Sequence, residues 1–448
     1  MNIKIILFAN LIFITLNIIS LISIDEREYK AAKKSFFLSI CISLPFFILG
    51  IYNFTFAETI VNSFIIGASI LFFILMFPYP VRNPKEYQIP KSRIDERDTM
   101  FARARLVKGE QNYNEYYERN PDKKDIDDRI RNNPGTLSKN SKYYDSQWFT
   151  AADTNFNQVR ELRSKVDGPV NKDRISLSKT QNTSFIKNWL NELGISGCGI
   201  TKLKDYHLYS YGGRDNRYGK IFKQSHKYAI AFTVPMDFRL VKSAPQAPII
   251  FESSRCYLES GQMAIILAKY IRQMGFPARA HIDGNYKVVC PLVAKDAGLG
   301  EIGRMGILMT PTHGPRVRIA VVTTDLPLKV DTATNSPSLI DFCDSCKKCA
   351  RVCPSNAIPY DDRKNINDCQ RWQINQESCY KYWTEIGTDC GRCIQVCPYS
   401  HPDNIFHNII RKGIQYSPLF RKMAILLDDF FYGKTPDPDH VPDWFKSI

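Results

Sequence analysis

The stretch Cys343-Asp-Ser-Cys346-Lys-Lys-Cys349-Ala-Arg-Val-Cys353-Pro354, answered by Cys390-Gly-Arg-Cys393-Ile-Gln-Val-Cys397-Pro398, decides how this chain is read. The first run has the C-x2-C-x2-C-x3-C-P spacing of a bacterial two-cluster ferredoxin, in which three cysteines hold one [4Fe–4S] cubane and the fourth ligates the other. The x2 turns let successive sulfurs converge, and the proline ends the segment without needing a backbone N–H. Cluster one is therefore assigned Cys343, Cys346, Cys349 and Cys397, and cluster two Cys353, Cys390, Cys393 and one further thiolate. Cys379 and Cys369 are the candidates for that ligand. Cys379 is expected, because C-x10-C-x2-C-x3-C-P needs only one looped insertion. Zinc sites usually show two separated C-x2-C pairs instead. Nine of the thirteen cysteines fall between Cys343 and Cys397, a clustering that favours metal binding over a disulfide scaffold.

Working outward, 448 residues suffice for two or three domains. Ile5 to Ile24, Ser35 to Ala57 and Thr59 to Val81 carry no charge. Each is long enough to cross ~30 Å of hydrocarbon, and no Ala-x-Ala-like cleavage site appears near Ile24. The first loop holds Arg27, Lys30, Lys33 and Lys34, the second holds no basic residue, and Arg82, Lys85, Lys91 and Arg93 follow the third stretch. By the positive-inside rule the first loop and everything after Val81 are expected in the cytoplasm, on a multi-pass inner-membrane protein. Nearly all of the formal +15 lies beyond residue 81. That charge suits anionic lipid. With no basic-aromatic stripe, nucleic acid is not expected as a partner.

Residues 83–183 read as a polar wrap over a core, aromatic at Tyr113, Tyr116, Tyr117, Tyr143, Tyr144, Trp148 and Phe149, with Arg129 to Lys142 as exposed loop. Helices are expected over Ser184 to Leu193 and Gly261 to Met274, and strands over Cys198 to Thr201, Tyr228 to Val234, Ala278 to Ile282 and Arg318 to Thr323. Ala297-Gly-Leu-Gly-Glu-Ile-Gly-Arg304 is too glycine-rich for ordinary packing, yet fails as a dinucleotide fingerprint. A helix is expected over Ile405 to Arg411, then an acidic, Pro-rich surface tail from Asp428 to Trp444. The alternation gives an α/β or α+β class.

Several motifs together resemble the cobamide-dependent reductive dehalogenases. They are Glu96-Arg-Asp-Thr-Met-Phe-Ala-Arg103, the Tyr257 to Gly275 helix, Ala297 to Arg304, Gly314-Pro-Arg-Val-Arg318, Thr324-Asp-Leu-Pro-Leu328 and Cys397-Pro-Tyr-Ser-His-Pro402. The resemblance covers about residues 95 to 445. It implies a nitroreductase-like core holding a base-off cobamide, beside a ferredoxin-like insert with two [4Fe–4S] clusters. It divides the chain into a three-helix anchor (1–82), the wrap (83–183), a cobamide-binding core (184–335), the cluster domain (336–402) and a C-terminal helix and tail (403–448).

The same resemblance implies Tyr257 as proton donor, Arg318 as its charge partner and Asn285 as a holder of substrate or of the tyrosine hydroxyl. Gly298, Gly300, Gly303, Arg304 and His401 are implied as cofactor contacts. An organohalide substrate and a donor such as reduced ferredoxin, flavodoxin or a quinol-linked protein follow. Respiratory members begin with a twin-arginine signal. This chain instead starts with three apolar stretches, as that family's separate anchor subunit does, and its Glu26-Arg27-Glu28 is similar to the anchor's Glu-x-Glu. Two other readings stand beside this one: an epoxyqueuosine-reductase-like enzyme acting on tRNA, and a non-catalytic electron-transfer subunit.

Overall fold

Three apolar helices open the computed structural model, which describes residues 2–52, 54, 56–77, 90–333, 336–366, 368–435 and 437–439. They are α1 (Ile3–Asp25), α2 (Tyr29–Tyr52) and α3 (Ala57–Met76), each long and apolar enough to cross a membrane. Helix α2 starts six residues before its uncharged stretch and takes in Lys30, Lys33 and Lys34. Lysine stems lie along a helix while their ammonium groups reach water, so charge does not delay the helix start. It ends at Tyr52 rather than Ala57. The expected end of the third span at Val81, with Arg82 and Lys85, lies outside the described residues. Phe8, Phe46 and Phe64 meet edge to face between the three helices. Gly50 is required where α1 and α2 touch, because a Cβ there would lie 2.7 Å from Ile6 Cγ1.

The polar segment after Arg93 is helical in part, with α4 (Gln111–Arg119), α5 (Pro121–Arg131) and α6 (Ser146–Leu162). Next come α7 (Lys179–Glu192) and strand β1 (Gly197–Lys202). Helix α7 starts earlier than its apolar spacing suggests because Ser178 and Gln181 form a capping box. After β2 (Tyr228–Pro235), the expected Gly261 helix proves to be the second half of α8 (Ala247–Gln273), 27 residues long. Then follow β3 (Ala278–His281), α9 (Cys290–Asp296) and β4 (Val317–Thr324).

The four strands form one sheet in the order β1-β2-β4-β3, every neighbouring pair antiparallel. Alternation along β2 feeds both faces. Ile230 and Phe232, with Ala320 and Val322 of β4, pack among Ile186 and Leu190 of α7 and Leu267 and Ile271 of α8. Ala229 and Ala231, with Val321, pack among Val293 and Ala294 of α9. The result is a mixed α/β fold whose sheet is covered on both sides.

The cysteine-rich segment begins with α10 (Pro337–Cys346) and includes α11 (Gln376–Ile386). The expected loop Arg129 to Lys142 starts inside α5, and its later part is pinned by backbone bonds to the end of α11: Gly135 N donates to Thr384 O and Leu137 N to Gly387 O. The chain then forms α12 (Ile405–Tyr416) and α13 (Pro418–Phe431). Asp428 belongs to α13, where it is buried, so the expected surface tail begins later. Its final residues, with Trp444, lie outside the described residues.

Two compact units result, one of residues 1–84 with 401–436 and the other of residues 85–400 with 437–448. The wrap, core and cluster segments thus share one unit, and the C-terminal helices belong with the anchor.

Candidate functional site

In the larger unit a cavity of about 1000 Å³ has Tyr257 and Arg318 on its wall, with Cys353, Cys379, Cys390 and Cys393 elsewhere on the same wall. Tyr257 and Ser253 project from one face of α8, four residues apart, and Arg318 comes from β4 opposite Val234 of β2. The Arg318 guanidinium carbon lies 5.0 Å from the centre of the Tyr257 ring. Its Nη2 donates to Asp389 Oδ2 at 2.9 Å and to the Ser253 hydroxyl. Ser253 also donates to Asp389. A chain of contacts therefore runs from Tyr257 through Arg318 to Asp389, the residue before Cys390.

Burial pushes the Tyr257 phenol above its ordinary value. Arg318 opposes the shift, and the carboxylates Asp283 and Asp389 add to it. The phenol is thus protonated at neutral pH. Arg318 is raised against its own burial by Tyr257 and Asp389. Arg318 Nε, Asp389 Oδ1 and Arg392 Nε all belong to cavity-lining residues, are buried and have no hydrogen-bond partner, whereas Arg214 Nε pairs with Glu96 Oε1 at 3.1 Å. Buried polar atoms are normally satisfied, so this wall suits a polar or charged guest. The volume is at the upper end of the ~300–1,000 Å³ usual for ligand pockets.

The expected Asn285 is not on the wall. Its Oδ1 accepts from Arg279 Nη2 at 2.8 Å and its Nδ2 donates to Arg163 O at 3.0 Å. Its neighbours Asp283 and Tyr286 line the cavity instead. Sequence reasoning missed both, along with Ser253, Asp389 and Arg214. Only the position of Asp389 beside Cys390 of the cysteine run offered a signal.

The glycine-rich run is also used differently from expectation. Gly298, Gly300, Gly303 and Arg304 are absent from the wall, although Met305 and Ile307 are on it. A Cβ on Gly300 would meet Met309 O at 2.0 Å, and one on Gly303 would meet Met309 Cγ at 2.7 Å and Cys343 Sγ at 3.5 Å. Arg304 is buried, and its guanidinium donates to the carbonyls of Cys343, Pro359 and Asp361 at 2.8–3.1 Å while stacking on Trp372. The run thus holds the cysteine segment against the core. His401 lies in the smaller unit. Its Nε2 meets Asp428 Oδ1 at 2.9 Å, and its ring stacks on His407 with centres 4.6 Å apart.

The cysteines sort into two sets. Burial pushes the Cys397 thiol up, and Cys343, Cys346 and Cys349 add to the shift. For Cys379 the contributing thiols are Cys390 and Cys353. For Cys393 they are Cys390, Cys379 and Cys353, with Cys349 of the first set contributing as well. Cys369 instead lies near Arg371, Lys295 and Arg363. Cys343, Cys346 and Cys397 are buried, whereas Cys353, Cys379 and Cys393 are partly exposed to the cavity. Among the described residues no three Cys, His, Asp or Glu side chains converge tightly enough for a single ion. Zinc needs such convergence, with sulfurs at ~2.3 Å. Thiolates around a cubane stand further apart.

The left-handed backbone at Lys347 (φ 54°) and Cys390 (φ 59°) turns the chain between cysteine-bearing helices. The motif Glu96 to Arg103 supports this site from behind. Arg103, 1% exposed, bonds Asp127 of α5 at 2.9 Å and Glu377 of α11 at 2.8 Å, fixing the helix that presents Cys379.

Comparison with known proteins agrees with this geometry. Residues 342–401 match the model of the 4Fe-4S dicluster domain. The chain is 31% identical over 225 residues to a tetrachloroethene reductive dehalogenase of Desulfitobacterium hafniense, covering 48% of this chain and 40% of that protein. It is 32% identical over 203 residues to the one of Sulfurospirillum multivorans, covering 44% and 40%. An epoxyqueuosine reductase of Listeria monocytogenes matches over only 113 residues, at 28% identity, covering 24% of this chain and 28% of that protein. The solved structure of the catabolic reductive dehalogenase NpRdhA superimposes with a TM-score of 0.64 at 25% identity, covering 80% of this chain and 50% of that one. NpRdhA has also been solved in complex with 3-bromo-4-hydroxybenzoic acid. The chain spans about 40% of the length of the dehalogenases it matches in sequence. The chain is thus similar to reductive dehalogenases over about half its length, and its match to epoxyqueuosine reductase is shorter and at lower identity.

Proposed function

We propose that this protein reductively cleaves a carbon–halogen bond in the cavity between Tyr257 and the second cysteine set. The observation that carries this is the shared wall, with Tyr257 and Arg318 in one part of it and Cys353, Cys379, Cys390 and Cys393 in another. A cobamide held there would supply the reducing chemistry for halogen removal, with two [4Fe–4S] clusters as its electron source. The buried Nε of Arg392 on the cavity wall fits the polar periphery of such a guest. Cys343, Cys346, Cys349 and Cys397 would hold the outer cluster. Cys353, Cys379, Cys390 and Cys393 would hold the one at the cavity.

Tyr257 is the proton source. Its hydroxyl keeps its proton at neutral pH because burial and the nearby carboxylates disfavour the phenolate. Arg318 over the ring offsets the negative charge left when the proton is given up. Asp389 and Ser253 hold Arg318 in that place. The substrate is a small organohalide, and the electron donor is a reduced ferredoxin, a flavodoxin or a quinol-linked protein. The basic loop of Arg27, Lys30, Lys33 and Lys34 sets the anchor with that loop, and the chain after α3, in the cytoplasm.

The test is halide release by full-length protein reconstituted anaerobically with iron, sulfide and cobamide, using tetrachloroethene and 3-bromo-4-hydroxybenzoate as first substrates. Cobamide-dependent halide release is expected. Tyr257→Phe should retain both cofactors yet lose on the order of 10²–10⁴ in turnover. A protein that takes up clusters but no cobamide would leave only electron transfer. External protease reaching residues 85–400 in intact cells would reverse the orientation.

A further inference from the structure

Helices α12 and α13 are built the wrong way round for water. In α12 the buried side chains include His407 and Arg411, and in α13 they include Arg421 and Asp428. Much of the outward face is apolar. Ile405 and Ile409 are 82% and 53% exposed on α12, and Leu419, Leu426 and Phe430 are 44%, 70% and 47% exposed on α13. Leu419, Met423, Leu426 and Phe430 recur at steps of four, three and four, which makes one stripe along the helix. Lys412 and Lys422 are the exposed cations beside these stripes.

The pair is tied to one end of the anchor, within the same compact unit. Glu26, the C-cap of α1, accepts from Asn404 Nδ2 at 2.6 Å and meets His407 Nε2 at 3.0 Å. Lys34, in the second turn of α2, donates to the Phe430 carbonyl and lies 4.9 Å from the centre of that ring. The apolar stripes are thus continuous with the ends of helices that are themselves apolar enough to cross a membrane.

We propose that α12 and α13 lie in the lipid headgroup region, with Ile405, Ile409, Leu419, Leu426 and Phe430 in contact with acyl chains. Amphipathic helices in this position sink ~5–10 Å into the boundary. Lys412 and Lys422 reach out along their stems to anionic headgroups. The inward polar residues then serve to fasten the pair to α1 and α2. This rests on the reading of α1–α3 as membrane spans.

The experiment uses the full chain in nanodiscs of phosphatidylethanolamine and phosphatidylglycerol. The photo-crosslinking residue p-benzoylphenylalanine is placed singly at Leu426, at Ile409 and, as a reference, at Ile66 of α3. Lipid adducts at all three positions are expected. Adducts at Ile66 with only protein adducts, or none, at Leu426 and Ile409 would overturn the proposal and leave the anchor standing. Absence at all three would overturn both. Leu419→Glu with Leu426→Glu, both at exposed sites, should leave the fold intact and cut the lipid yield at Ile409 severalfold. An unchanged yield would also refute the proposal.

Discussion

Replacing Arg103 by methionine tests whether the Glu96 to Arg103 motif holds the inner cluster site. Arg103 is 1% exposed and is shared between Asp127, itself fully buried, and Glu377, two residues before Cys379. Methionine fills a similar volume but leaves both carboxylates without their cation. Asp127 would keep the Tyr117 hydroxyl at 2.7 Å. Glu377, whose carboxyl is held below its usual value by Arg103 against the effect of burial, would retain Lys123 at 3.4 Å. Breaking a buried pair by removing one partner costs ~3–5 kcal/mol. A domain of roughly 150–250 residues loses about 2–4 °C per kcal/mol and a larger one less, so the melting point of the larger unit should fall by about 5 °C. Because α11 also presents Cys379, iron content should drop toward one cluster. Calorimetry and iron analysis of anaerobically purified protein measure both effects. A variant that melts within about 1 °C of wild type and carries full iron would refute the argument.

Other outcomes follow from the same geometry. Cys379→Ser should leave one cluster or a three-iron remnant, whereas Cys369→Ser should keep both. Iron quantitation with electron paramagnetic resonance separates the two results, and the reverse pattern would transfer the ligand role to Cys369. Tyr257 must be protonated to act, and its value is raised, so turnover should show no alkaline loss from this group below about pH 10. An alkaline limb near neutrality that disappears in Tyr257→Phe would contradict the burial argument. Burial holds His407 down at about 4, against 6.5 for a free imidazole. The unfolded chain therefore binds the extra proton between these values, and stability is complete above pH 6.5 and falls as pH drops toward 4. Melts of the smaller unit should show this slope, and His407→Gln should flatten it.

The dicluster pattern was legible because thiolate spacing is local. A C-x2-C turn converges its sulfurs whatever surrounds it, and Cys379 shares the cavity wall with Cys390 and Cys393. The three apolar helices were legible because twenty uncharged residues leave few alternatives. Helix α8 was read only from Gly261 onward because Glu252, Ser253, Ser254 and Arg255 interrupt the apolar pattern, yet three of these four are buried by partners far along the chain. The wall residues Asp283 and Tyr286 gave no signal for the same reason, and Asp389 gave only its place beside Cys390. Their role comes from meeting α8 and β4 in space, and Ser253 and Asp389 are 136 positions apart. The glycine-rich run announced a close approach correctly. What it approaches, the Met309 backbone and the Cys343 sulfur, is a tertiary fact.

The bond from Glu26 to His407 joins positions 381 apart in sequence. A contact of that separation imposes an order on biosynthesis. The first helices emerge from the ribosome long before their C-terminal partners exist, and residues 85–400 must pass through in between. That middle unit has its own sheet and core, so it can fold while the outer unit is still open. The last helices then close the unit, and its completion reports that the whole interior has already been made.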